Sequence, residues 1–308
     1  MREVPTRPTP ITGEAGRLRD GEKNMSKTNP VFEIVTDQII ALLEKGVAPW
    51  SKTWGDFGAP KNAATGWEYH GINSLLLNCT EHAAPWFMSY KQAQSLGGQV
   101  RKGEKGFTAT FWKLLKTGSK ETADEATFPI LRYYTVFNVS QIDGLPERFL
   151  PTAKERNNHP IETAVSVVDS MKNRPTITHA ENKAFYRRST DTVNMPSIGM
   201  FKNAEAYHSI MFHELTHSTG HASRLDRHHG EETSPFGSPT YSKEELVAEM
   251  GASFLCGHCG FLESTVETSA AYIQNWMTAL RNDKKMVVMA ASAAQKAVNH
   301  ILGIEREA

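Results

Sequence analysis

His213-Glu-Leu-Thr-His217 lies inside Ala206-Tyr-His-Ser-Ile-Met-Phe-His-Glu-Leu-Thr-His-Ser-Thr-Gly220, and the reading of that run decides the architecture around it. The run reads as one helix, closed by Ser218, Thr219 and Gly220. Residues four apart on a helix share a face, so His213 and His217 project together and can grip one metal ion. Glu214, beside the first histidine, is placed to act as general base toward water at the metal. Ile210, Met211, Phe212 and Leu215 make this a helix that packs into a core rather than one that lies on a solvated surface.

A catalytic zinc takes three protein ligands and keeps an open position. His221 follows Gly220, beyond the expected helix end, and a third histidine two residues further on is excluded because Ser223 stands there. The stronger source is Glu244-Glu-Leu-Val-Ala-Glu249, on a second helix expected over Tyr241–Cys256. Glu245 and Glu249 lie one turn apart on one face, beside Ala248 and Ala252, whose small side chains would let the two helices approach closely. One glutamate would ligate the metal while the other orients a histidine ligand. The spacing, similar to that of thermolysin-like gluzincins, favours Glu245. A capping box between Ser242 and Glu245 would instead leave Glu249 for the metal. Both stay open as ligands. Tyr241 and His208 are candidates for supporting an oxyanion. The strand Thr192–Met195 is expected to be the edge on which an extended peptide would lie. Zn2+ is the expected cofactor, with Mn2+ as an alternative divalent ion.

Cys256-Gly-His-Cys259 has the letters of a disulfide oxidoreductase, but that chemistry wants the first cysteine at a helix N-terminus after a strand. Here the motif ends a helix, so buried inert thiols are expected. The chain has 308 residues, with 34 basic and 34 acidic side chains, so overall charge names no partner. No run of eighteen apolar residues exists, and the first residues lack an apolar signal segment. Three cysteines are an odd number and fit no secreted disulfide scaffold. The expectation is a cytoplasmic protein with no membrane partner.

The fold class expected is α+β in two domains. Residues 1–24, rich in proline and poor in large apolar residues, read as a disordered tail; residues 25–150 form a first domain and residues 151–308 a second, with 146–160 as linker. The first domain should hold helices over 31–45 and around Leu75–Leu77, and a hairpin pairing 107–115 with 131–137 through a polar tip at 117–127. The second should be mainly helical, with short strands at 176–178, 184–187 and 192–195 forming a small sheet. Between Lys91 and Lys120 stand seven basic residues and one acid, Glu104, with aromatics interleaved through the same domain. A basic groove with stacking platforms is how single strands are held without sequence preference. The candidate contacts are Trp50, Trp54, Asn62, Trp67, Tyr69, Asn73, Lys91, Gln92, Arg101, Lys102, Lys105 and Trp112.

At these residues the chain resembles the ArdC family of plasmid-borne antirestriction proteins. The resemblance runs over about residues 30–305. In the first domain it rests on Pro49-Trp50, Pro60-Lys-Asn62, Tyr69-His-Gly-Ile-Asn73, Lys91-Gln92, Gly97–Gly106 and Val136–Gln141; in the second it rests on Met195-Pro196, Phe212–His221, Arg224-Leu-Asp-Arg227 and Glu244–Glu249. It implies a small single-stranded-DNA-binding domain followed by a zincin-like metallopeptidase domain, and protection of incoming plasmid DNA from host restriction during conjugation. The protein substrate, which would include a restriction-system component, is not named by the sequence. His208 departs from the family pattern, where a tyrosine is common. Two other readings compete: a metalloprotease of host or phage proteins whose first domain binds protein, and a non-catalytic DNA-coating protein with a structural metal.

Overall fold

The computed structural model describes residues 29–51, 58–82, 84–117, 126–146, 149, 160–227, 239–261 and 270–305. The expected tail at 1–24, Trp54, and most of the hairpin tip, the linker and the polar loop at 223–239 lie outside the described residues. The fold is α+β, as its sequence patterns lead one to expect.

Helix α1 (Pro30–Glu44) starts where Asn29 accepts a hydrogen bond from the Val31 amide and proline takes the first helical position. Val31, Phe32, Val35, Ile39 and Leu43 form its buried face. Helix α2 (Ile72–Asn78) carries Leu75, Leu76 and Leu77, and α3 (Tyr90–Ser95) opens with a capping box between Ser89 and Gln92. Strands β1 (Lys61–Asn62), β2 (Trp86–Met88), β4 (Phe107–Thr117) and β5 (Ala126–Asn138) form one sheet in the order β1-β2-β5-β4, while β3 (Gln99–Val100) pairs with β6 (Ile142–Asp143). β4 and β5 make a long antiparallel ribbon, with Phe107 opposite Val136 at its root and Thr117 opposite Ala126 at its far end.

Helix α4 (Pro160–Ser170) leads to a second sheet of β7 (Thr176–Thr178), β8 (Phe185–Arg187) and β9 (Thr192–Asn194), in the order β7-β9-β8. β9 is therefore the central strand, parallel to β7 and antiparallel to β8. This corrects the expectation that 192–195 is a free edge: both sides of its backbone are taken, so the edges are β7 and β8. Helices α5 (Ala204–Ser218), α6 (Pro239–Cys259), α7 (Ala270–Asn282) and α8 (Met286–Ile301) complete the chain. α6 starts at Pro239, so Ser242 is inside the helix and cannot be the N-cap of a capping box with Glu245.

The main core joins both halves of the chain. Val35 and Ile39 of α1, Trp50, and Leu75 of α2 are buried in one cluster with Phe212 and Leu215 of α5, Leu246 and Met250 of α6, and Val287 and Ala291 of α8. Two smaller clusters lie under the first sheet, one around Met88, Val139 and Ile142 and one around Tyr69, Leu77, Phe87 and Val136. α5 and α6 meet closely at Gly251, where an added Cβ would stand 2.5 Å from Thr216 Cγ2. That approach, with Ala248 and Ala252 also buried, brings the glutamates of α6 to the histidines of α5.

Candidate metal centre

α5 is capped by Asn203, whose side chain accepts from the Ala206 amide, and it runs through His213 and His217 without interruption. The two imidazoles meet edge to face with Nε2 atoms 3.1 Å apart. From α6, Glu245 Oε2 stands 3.6 Å from His213 Nε2, and Oε1 stands 3.5 Å from His217 Nε2. Ligand atoms of His213, His217 and Glu245 all lie within 4.8 Å of one another. Tetrahedral bonds of about 2.0–2.1 Å put neighbouring donors roughly 3.3 Å apart, so two imidazole nitrogens and a carboxylate oxygen at these separations fit a divalent cation.

The other glutamates have different surroundings. Glu249 is hydrogen-bonded to Tyr272, whose hydroxyl also accepts from Trp50 Nε1 at 2.8 Å. Burial and the neighbouring Glu245 charge push Glu249 above its ordinary value, against the pull of His213, His217 and Tyr272. Glu244 stands 3.5 Å from His217 Nδ1, the nitrogen turned away from Glu245, and takes Arg227 Nη2 at 2.6 Å. Burial alone would raise Glu244, but hydrogen bonds from His217 and Arg227 override it and hold the carboxyl at about 2. Glu244 orients the histidine through the nitrogen that a metal would leave free. Sequence reasoning missed this role because Glu244 points about a third of a turn from the Glu245–Glu249 face. The signal was present in Arg227, a cation with no other assignment. Arg224 does similar work nearby, tying the Ser218 carbonyl to Asp191.

His213 is pulled both ways: burial lowers it, while the Glu245 hydrogen bond and the charges of Glu214, Glu249 and Glu245 raise it, to about 9. Glu214 is buried on the same helix. His221 is turned to its own loop, with Nδ1 2.8 Å from Ser223 Oγ. The Tyr241 side chain lies outside the described residues. His208 is buried at 5% exposure among Tyr207, Phe212 and Phe261. Cys256 and Cys259 are buried, and burial pushes both thiols up to about 12, so they stay neutral and unreactive at ordinary pH.

The expected nucleic-acid contacts divide sharply. Trp50 is 1% exposed and packs edge-on against Trp276 in the shared core, so it offers no stacking face. Tyr69 is buried as well, with its hydroxyl accepting from Asn62; Asn62 and Gln92 in turn bond to each other. Asn73 is spent on the backbone of Thr110. These four support the sheet. Arg101 is forked between Glu104 and Asp143, which leaves little of its charge for a phosphate. Lys91, Lys102 and Lys105 are exposed, and so are Trp67 at 78% and Trp112 at 44%.

Comparison with known proteins agrees with this two-part layout. Residues 29–137 match the family of the N-terminal domain of the anti-restriction factor ArdC, and residues 167–293 match that of zincin-like metallopeptidases. A DNA primase TraC of Escherichia coli is 37% identical over 309 residues, covering 93% of this chain but 21% of the primase, so the chain spans about a fifth of that relative. The uncharacterized protein y4eC of Sinorhizobium fredii (strain NBRC 101917 / NGR234) is 34% identical over 281 residues, covering 86% of this chain and 89% of the relative. Among solved structures, the metal-free antirestriction ArdC protein from plasmid R388 superposes with a TM-score of 0.71 at 36% identity, over 90% of this chain and 99% of that one. Its Mn(II)-bound form superposes with a TM-score of 0.70. No helix among the described residues is long and apolar enough to cross a membrane.

Proposed function

The chain belongs to the ArdC family of antirestriction proteins, and from that premise we propose that it pairs a single-stranded-DNA-binding half with a metal-dependent peptidase half. We put the division at residues 146–160; the two family matches, one ending at residue 137 and the other starting at residue 167, support a boundary in that part of the chain. The observation that carries the peptidase reading is the convergence of His213, His217 and Glu245 from two helices. These three would hold a divalent cation, Zn2+ first and Mn2+ as the alternative that the R388 neighbour suggests. Such a cation supplies Lewis acidity to the site.

The chain's own groups do the rest. Glu244 fixes the His217 ring through Nδ1, and Arg227 fixes Glu244. Glu249, held by Tyr272, lies beside His213 without entering the donor set. Glu214, next to His213 and buried, takes up a proton as general base. In the cell, the reading is that the protein protects incoming plasmid DNA from restriction during conjugation by holding single strands and cutting a protein of the restriction machinery.

The test is substitution at Glu214. Glu214→Gln should bind metal as the unmodified chain does and lose peptidase activity on an unstructured protein such as casein. His213→Ala should lose metal. Undiminished proteolysis by Glu214→Gln would remove the catalytic reading and leave a structural metal.

A further inference from the structure

A notch of about 700 Å3 opens where the β4–β5 ribbon meets the start of α1 and of α8. Phe32 forms part of its floor, Trp112 and Tyr133 rise from the ribbon, and Lys285 and Met289 come from the other half of the chain. The two ribbon aromatics share a face: Trp112 pairs across the ribbon with Leu131 and Tyr133 with Thr110, and paired residues lie on the same side of a sheet. Trp112 rests against Phe32, with ring centroids 6.2 Å apart, yet keeps 44% of its surface exposed, and Tyr133 keeps 52%. An exposed aromatic pair beside an apolar floor is an unusual surface for a protein to leave open.

The charge around the notch says what covers it. Its charged lining residues are Arg132 and Lys285, both cationic, and neither pairs with a carboxylate among the described residues. The Lys285 ammonium lies 5.9 Å from the centre of the Phe32 ring, over the floor. On the ribbon, Arg132 is opposite Phe111 and Lys113 is opposite Ile130, so both project to the face away from Trp112 and Tyr133, and Lys285 is the lining cation on the aromatic side. The pocket around Trp67 is different. Its lining includes Glu68, ion-paired to Lys61 at 3.2 Å, so an incoming phosphate would meet a carboxylate there. Flat aromatic faces next to a cation such as Lys285, which pairs with no carboxylate among the described residues, are the chemistry that holds an unstacked base and its phosphate.

We infer that this notch is a nucleotide subsite for single-stranded DNA, built jointly by the β4–β5 ribbon and the first turn of α8. One base stacks on Trp112 or Tyr133, and Lys285 meets the adjoining phosphate. The inference rests on the single-strand-binding reading above. It moves the binding surface away from Trp50 and the Arg101 turn, and it makes the second half of the chain a DNA contact.

The test uses the full chain, free of metal, with a fluorescent oligothymidylate followed by anisotropy. Trp112→Ala and Tyr133→Ala should each weaken binding roughly 5- to 150-fold with the salt slope unchanged. Lys285→Ala should flatten the log–log salt slope by about 0.7, the value of one phosphate contact on a single strand. Arg101→Ala should change little, because that side chain is already paired. Trp112→Phe should recover most of the affinity, which a merely misfolded Trp112→Ala would not explain, and circular dichroism checks each variant. Photocrosslinking from 5-iodouracil should label Trp112 or Tyr133. If the unmodified chain does not bind the oligonucleotide, the single-strand reading itself fails and this subsite with it. If it binds normally but the notch variants are unaffected and the crosslink falls at Trp67, the subsite alone is overturned.

Discussion

His213 carries two competing claims on one nitrogen. In the metal-free chain, carboxylates of Glu245, Glu214 and Glu249 outweigh burial and raise it from 6.5 to about 9. A raised value means that the protonated ring stabilises the fold fully below pH 6.5, and that this contribution is lost as pH rises through about 9. A metal needs the neutral ring, so it must displace that proton. Between neutrality and pH 9, metal affinity should rise about tenfold per pH unit, and binding at pH 7.5 should release close to one proton. Isothermal titration in buffers of different ionisation enthalpy reads that proton directly; a heat independent of buffer would mean that the ring is already neutral. The glutamates make a second prediction. Glu245→Ala removes a donor and should abolish binding at micromolar metal. Glu249→Gln leaves the donors and should cost about 10–100-fold, the range for a group that acts through a ligand. Competition with a chromogenic chelator separates the two, and equal losses would return Glu249 to the donor set.

The candidate metal centre forms because α5 and α6 come close, and Gly251 sets how close. A methyl at Gly251 would meet the Thr216 side chain at 2.5 Å, and that side chain is fully buried and already bonded to the Phe212 carbonyl at 2.7 Å. Gly251→Ala should therefore destabilise the fold by about 1–3 kcal/mol despite the better helix propensity of alanine. It should also weaken metal binding, because Glu245 rides on the displaced helix. Urea unfolding and the same chelator assay check both effects; a more stable Gly251→Ala protein would show that the helices have room to spare. Helix period is what made His213 and His217 legible from sequence: their relation is local, and four residues fix it. The same period put Glu245 and Glu249 on one face but could not choose between them, since the choice depends on which glutamate Tyr272 occupies. Strand order was illegible at β9 for the same reason. A three-residue strand shows its alternation and not its neighbours, and only the long-range pairings make it central. Trp50 looked like a stacking platform because an aromatic in a turn carries no sign of burial. Its partners, Tyr272 and Trp276, are more than two hundred residues away.

Across the whole molecule, the shared core sets what can move independently. Val35 and Ile39 of α1 share one buried cluster with residues of α8, α5 and α6, and Gly71, at the head of α2, donates its amide to Gln295 of α8 at 3.1 Å. Thr36 reaches the Lys284 carbonyl at 2.7 Å, and Trp50 reaches Tyr272, which holds Glu249 beside the metal site. A fragment ending near residue 150 would leave the α1 face and Trp50 without these partners. Two halves joined in this way should unfold as one cooperative unit. Metal at about 100 times its dissociation constant adds roughly 2.7 kcal/mol to whatever unit it binds. If that unit is the whole chain, saturating metal should slow amide exchange by about 100-fold at Val35 and Ile39 as well as at Phe212 and Leu246, although α1 touches no ligand. Trp50→Phe deletes the hydrogen bond to Tyr272 while keeping an aromatic in the core, and should shrink the protection passed to α1. Hydrogen exchange by mass spectrometry, with and without metal, reads all of this. Two separate thermal transitions, with metal raising one of them, would mean that the halves fold apart and that the core between them is a docking surface rather than a single hydrophobic core.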